Sequence, residues 1–113
     1  MIKYRSQMHQ TVRENLRGGK GALQFTHIFE GSELEKTRMF SVVTVQPGDS
    51  IGIHPHQEEG EVYLILDGAA TVTEDGVEQI LRAGDAEYCT GGHTHGLLNH
   101  TDAPVTLLAI VIN

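Results

Sequence analysis

The sequence predicts an all-β protein, a sandwich or barrel. Three observations lead there. Short apolar runs alternate with turn residues at close, regular spacing along most of the 113-residue chain. β-Branched and aromatic residues concentrate in those runs, as in Met39 to Val45 and Val105 to Ile112. One hairpin is spelled out: Ala70 to Glu74, then Asp75-Gly76, then Val77 to Leu81, with Asp-Gly suited to the positive φ of a primed turn.

Taken in order, residues 7–17 offer the one helical pattern, Met8, Val12 and Leu16 spaced by four before Gly18-Gly19. An extended arm fits the same residues, because their flanks are polar. Gly18-Gly19-Lys20-Gly21 is a turn; it lacks the preceding strand and following helix of a phosphate loop. Ala22 to Phe29 reads as a strand. Gly31 to Lys36 is a connection in which Ser32 and Glu35 have the spacing to cap one helical turn. Met39 to Val45 is a strand ended by Pro47-Gly48-Asp49. Ile51 to His56, Glu61 to Leu66, a short strand ending at Cys89, His95 to Asn99 and Val105 to Ile112 complete the set.

Composition bounds the function. The length allows one domain with one modest core. No apolar run is long enough to cross a membrane, and the first residues lack the pattern of a secretory signal. Cys89 is the only cysteine, which excludes an internal disulfide and fits a reducing, cytoplasmic setting. The net charge is −7. Residues 1–20 nevertheless hold Lys3, Arg5, Arg13, Arg17 and Lys20 against one acid, Glu14. We therefore divide the chain into a basic N-terminal arm, 1–20, and a barrel domain, 21–113. The acidic body argues against nucleic acid. The arm has three open roles: docking on its own body, docking on a second subunit, or a solvated tail.

The chemistry centres on His54-Pro55-His56-Gln57-Glu58-Glu59-Gly60-Glu61. Side chains at i and i+2 of a strand share a face, so His54 and His56 can address one point. Pro55 keeps His54 out of helix. The four residues after His56 can turn the chain and bring Glu61 to the same point from the next strand. Imidazole plus carboxylate is a ligand set for a divalent first-row metal. A further histidine lies in Gly92-His93-Thr94-His95-Gly96, where residue chemistry alone leaves His93 and His95 equivalent.

These residues carry a resemblance to the cupin family. The first cupin motif, Gly-x5-His-x-His-x3–4-Glu-x6-Gly, is met by Gly48, His54, His56, Glu61 and Gly68. The second, Gly-x5-Pro-x-Gly-x2-His-x3-Asn, is met by Gly84, Gly92, His95 and Asn99, with Thr90 in place of Pro. The motifs span residues 48–99, with 69–83 between them, as in compact single-domain microbial members such as the oxalate decarboxylase-like monocupins. The resemblance implies a double-stranded β-helix, or jelly-roll barrel, with a metal held by His54, His56, Glu61 and His95. It is the motif spacing that selects His95. Thr90 loosens the loop before it without touching the ligand.

Other residues carry two readings each. Tyr63 shares strand parity with Glu61 and is either a pocket hydroxyl or a packed barrel aromatic. His93 would lie on the face of His95, at the rim. His27 is either a hydrogen-bonded structural histidine or a pocket residue. Arg38 is positioned to hold a substrate carboxylate, although the run after it is apolar on both faces and does not fix its direction. Glu58 and Glu59 read as a solvated turn. Cys89 reads as a buried small residue rather than a reactive thiol, having no basic neighbour. His9 and His100 read as exposed.

Three imidazoles and one carboxylate leave about two open positions on an octahedral ion. The resemblance favours manganese or iron, with Ni, Zn or Co as alternatives, and one ion per chain. It implies a small organic acid or oxygen-rich metabolite as ligand or substrate, with decarboxylase-like or dioxygenase-like chemistry. A non-catalytic module binding metal and ligand is the alternative. Metal retention is expected to fall as pH drops through about 6.5, since neutral imidazoles ligate. Edge strands and an exposed sheet face predict a homodimer, with the basic arm crossing to the partner.

Overall fold

The computed structural model describes residues 1–113. Its ten strands are β1 (His9–Glu14), β2 (Ala22–Phe29), β3 (Thr37–Val45), β4 (Ser50–His56), β5 (Gly60–Asp67), β6 (Ala69–Glu74), β7 (Val77–Arg82), β8 (Ala86–Cys89), β9 (His93–Leu98) and β10 (Val105–Ile112). They form a six-stranded sheet ordered β1-β2-β3-β10-β5-β8 and a four-stranded sheet ordered β4-β9-β6-β7. All paired strands are antiparallel. Most neighbours within each sheet are distant in sequence, as a jelly roll requires.

Period-two alternation builds the interior. Val43 and Val45 of β3, Tyr63 and Ile65 of β5, and Leu107, Ala109 and Val111 of β10 point inward and are buried, while residues between them are not. Leu23, Phe25, Ile51, Val72 and Leu97 close the same core from neighbouring strands. The polar cluster described below adjoins this core, with Tyr63 of the core stacked on His95.

Residues 7–17 do not form an α-helix. His9–Glu14 is a strand paired with β2, flanked by one-turn 3-10 helices at Arg5–Gln7 and Leu16–Gly18. Met8, Val12 and Leu16 do not share one buried face: Val12 is 60% exposed while Leu16 packs against the core, and Thr11, on the face opposite Val12, bonds His27. The edge of β2 offers backbone partners that an isolated amphipathic turn would lack. The arm thus docks on its own barrel, helped by Lys3 Nζ at 2.7 Å from Glu33. The single turn between β2 and β3 is Gly31–Glu33, and the residue that caps it is Glu33, accepting from the Glu30 N–H, rather than the Ser32–Glu35 pair.

Asn99 explains the last position of the second motif. Fully buried, it donates from Nδ2 to the carbonyls of Val45 and Ala103 and accepts at Oδ1 from Thr101. Its own carbonyl accepts from the Gly48 N–H. One side chain therefore fastens the ends of β3 and β9 to the turn before β10. Its role is structural.

Candidate metal centre

His54 and His56 sit on one face of β4, as the His-x-His spacing requires, and both are buried. A register shift between Ile51 and His54 makes this possible. Ile51 also faces inward, an odd number of residues earlier, so one extra residue must be absorbed between them. His95 lies directly across from His54 in the β4–β9 ladder. Glu61 arrives from β5 after the Gln57-to-Gly60 turn, opposite Val111 of β10.

The four side chains converge. Glu61 Oε1 is 3.3 Å from His54 Nε2, 3.0 Å from His56 Nε2 and 2.9 Å from His95 Nε2. The His56 and His95 Nε2 atoms are 3.1 Å apart. A first-row ion with bonds of about 2.1 Å sets neighbouring donors about 3.0 Å apart in an octahedron and about 3.4 Å apart in a tetrahedron. Three of the four spacings lie nearer the octahedral value, and the His54 contact at 3.3 Å lies nearer the tetrahedral one.

The far sides of the rings supply a second test of fit. His54 Nδ1 is 2.7 Å from the Gly52 carbonyl, and His95 Nδ1 is 2.8 Å from Glu87 Oε1. Both partners are acceptors, so each Nδ1 must carry a proton. In a neutral ring, Nε2 is then a bare lone pair, and it faces the Glu61 oxygen and the other rings. Lone pairs packed together in a buried space call for a cation. His56 Nδ1 is buried without a hydrogen bond and lies 3.4 Å from Glu59 Oε1, within a small adjustment of the same arrangement. The cluster is able to hold one metal ion.

Without an ion, protons take its place. Burial opposes charge on His95, but hydrogen bonds to Glu61 and Glu87 override it and raise the ring to about 9. Burial likewise opposes charge on Glu61, and His54 and His95 outweigh it, holding the carboxyl at about 2. Tyr63 stacks on His95, centroids 4.4 Å apart and planes at 10°, and is fully buried. Burial, then the charges of Glu61 and Glu87, push its hydroxyl well above the ordinary value, so it stays protonated.

A cavity of about 60 Å³ opens onto His54, His56 and Glu61. Tyr63 and Arg38 also line it. The Arg38 fork is engaged with Glu59, through Nε at 2.9 Å and Nη2 at 2.6 Å. His27 is not in the cavity wall; its ring is held between Ser41 Oγ at 2.7 Å and Thr11 Oγ1 at 2.8 Å. His93 lies outside as well, exposed at the surface and bonded to Asp75. Cys89 is buried, and burial with the charge of Glu87 raises its thiol to about 11, so it is no nucleophile.

Two residues at the centre escape a reading of the sequence alone. Glu87, which orients His95, shares the inward face of β8 with Cys89; a charged residue at that parity was its only signal. Glu59 is not a solvated turn residue but joins Arg38 to His56. The arm contributes Arg13, Leu16 and Arg17 to the cavity wall, which its charge alone did not indicate.

Comparison with known proteins agrees with this architecture. The cupin domain family matches residues 41–111. An oxalate-binding protein of Thermotoga maritima is 32% identical over 99 residues, covering 87% of this chain and 82% of that one. A crystal structure of a predicted oxalate decarboxylase from Thermotoga maritima superimposes with a TM-score of 0.93 at 30% identity, covering 99% and 98% of the two chains. A β-D-galactosidase of Mycobacterium tuberculosis is 34% identical over 84 residues, covering 73% of this chain and 72% of that protein. Relatives so differently named share one scaffold, so the fold fixes the family and leaves the reaction to the site. With the domain match, the jelly-roll topology and the convergent histidines and glutamate in agreement, the chain belongs to the cupin family.

Proposed function

We propose that this cupin binds one divalent transition metal through His54, His56, Glu61 and His95, and that the metal takes a small organic acid of the oxalate class. The observation that carries the reading is the convergence of three imidazole lone pairs on one carboxylate oxygen beside a small cavity. When bound, the metal supplies a Lewis acid that polarises a carboxylate. The cavity suits a molecule of few atoms, and its wall holds arginines but no acid besides Glu61. The relative named as an oxalate-binding protein supports the same ligand class. Manganese and iron are the favoured ions, because they accept a mixed imidazole–carboxylate set and an incoming oxygen-donor acid.

The experiment is calorimetric titration of oxalate into protein reconstituted with Mn or Fe, alongside protein stripped by chelator. Saturable binding only in the reconstituted protein is expected. Equal binding to both, or to neither, contradicts the reading.

Turnover is the second reading, and the protonated Tyr63 in the cavity wall, stacked on His95, favours it. The chemistry would be decarboxylase-like or dioxygenase-like. Carbon dioxide release and oxygen uptake on a panel of dicarboxylates, keto acids and catechols test it. Silence across that panel with metal restored leaves the binding role.

We also propose a homodimer in the cytoplasm. Phe40 and Val42 of β3, Val62 and Leu64 of β5, Leu108 and Ile110 of β10 and Tyr88 of β8 lie side by side on the outer face of the larger sheet. An apolar sheet face of this extent is suited to a second copy. The lone, buried Cys89 fits a reducing compartment.

A further inference from the structure

Among the basic residues, Arg13 and Arg17 stand apart. Both line the cavity. Neither forms an ion pair or a side-chain hydrogen bond, in a protein of 15 acids and net charge −7. Arg38, the third cation of the wall, is neutralised by Glu59. Glu61 is the only acid there, and it belongs to the metal-capable cluster.

Their placement is built into the fold. Arg13 is registered opposite Leu23, which is fully buried, so the arginine shares the inner face of its sheet. Its guanidinium lies 5.6 Å above the Phe25 ring, which also lines the cavity. Arg17 sits at φ 54°, ψ 32°, a left-handed conformation that is strained for a residue with a Cβ. The neighbouring arm is fixed by two bonds: Ser50 N–H to the Lys20 carbonyl, and Lys20 N–H to Ser50 Oγ, each 2.9 Å. The Arg17 carbonyl rests against Gly52, where a Cβ would overlap it. The turn thus fixes the backbone of Arg17 beside the cavity, and its side chain lines the wall while remaining open to solvent.

We infer that Arg13 and Arg17 of the basic arm select a small dianionic carboxylate over monoanions and neutral ligands at this site. The inference rests on the proposed metal-dependent binding of an organic acid. Charge supports it. A divalent ion with Glu61 leaves one positive charge, and the two free guanidiniums add two more. A dianion reduces that excess most, and guanidinium forks match carboxylates in shape. The arm is then part of the ligand site, and its residues set specificity without touching the metal.

The test compares oxalate with glycolate, which keeps the chelating oxygens but carries one charge. Both are titrated calorimetrically into Mn-reconstituted wild type, Arg13→Gln, Arg17→Gln, the double variant, Arg17→Lys, and Arg5→Gln as an arm residue outside this cavity. Metal content per chain and melting temperature are measured on each. Oxalate affinity is expected to fall roughly tenfold in either single variant and about a hundredfold in the double, with glycolate changing less than about threefold. Metal content should be unchanged, Arg17→Lys should keep part of the oxalate preference, and Arg5→Gln should resemble wild type. If wild type binds oxalate and the double variant binds it equally, or loses oxalate and glycolate alike, the inference is overturned while metal-dependent binding stands. If wild type binds neither acid, the proposed function falls and takes this inference with it.

Discussion

The His95 ring stands between two carboxylates, Glu61 at Nε2 and Glu87 at Nδ1. Glu87 is itself beside Glu74, whose carboxyl is raised chiefly by their mutual hydrogen bond. Glu87 holds the Nδ1 proton in place and so turns Nε2 toward Glu61 and the other rings of the metal-capable cluster. Glu87→Gln should therefore weaken metal affinity by about 10- to 100-fold with the fold intact, measured by competition against a chelating dye. An unchanged affinity would make Glu87 a bystander. The same residues set a pH dependence in metal-free protein. Glu61 is depressed from 4.5 to about 2, so its contribution to stability is complete above 4.5 and is lost as pH falls through about 2. His95 is raised from 6.5 to about 9, so its contribution is complete below 6.5 and is lost as pH rises through about 9. Chelator-treated protein should melt at its highest temperature between these limits, about pH 4.5 to 6.5. Metal affinity should instead keep rising with pH toward about 9, because the ion must displace the His95 proton. A metal-free melting temperature that climbs steadily to pH 9 would contradict this assignment.

At the scale of the element, β4 carries the most information. Its His-x-His face was legible because a strand's period of two is geometric. The shift that lets Ile51 and His54 both face inward was not, since a bulge leaves only Gly52 as a trace. Gly52 has two duties. Its carbonyl orients His54, and its missing side chain admits the Arg17 backbone. Gly52→Ala should displace the arm turn, seen as faster amide exchange over residues 15–21, and should lower metal affinity as well. Normal protection there would show that the arm turn rests on other contacts. β1 was ambiguous in sequence because its partner, the edge of β2, is a tertiary fact. The choice between His93 and His95 needed the family spacing; in the structure, the ladder places His95 opposite His54 and leaves His93 with Asp75. Core positions on β10 were read more directly, from alternation. Leu107→Ala, at a fully buried site, should cost about 3 kcal/mol in denaturant unfolding.

For the whole molecule, one face of the larger sheet covers the core and the other is apolar and uncovered in the single chain. Ile110→Glu, at the centre of that outer face, should shift light scattering from dimer to monomer without loss of bound metal. Wild-type protein that is monomeric at micromolar concentration would refute the assembly. The arm pairs with its own β2, so removal of residues 1–20 is expected to open the ligand cavity before it affects assembly. The charge asymmetry that marks the arm in the sequence thus has a local explanation, a few cations beside a metal-capable cluster on an otherwise acidic barrel.

The most direct measurement is anomalous diffraction from crystals grown with Mn, paired with elemental analysis of the same protein and of His95→Ala. One peak within bonding distance of the His54, His56 and His95 Nε2 atoms and Glu61 Oε1 is expected, at one ion per chain, and lost in the variant. No peak among those four atoms, when Mn, Fe, Ni and Zn have each been offered, would contradict the metal centre.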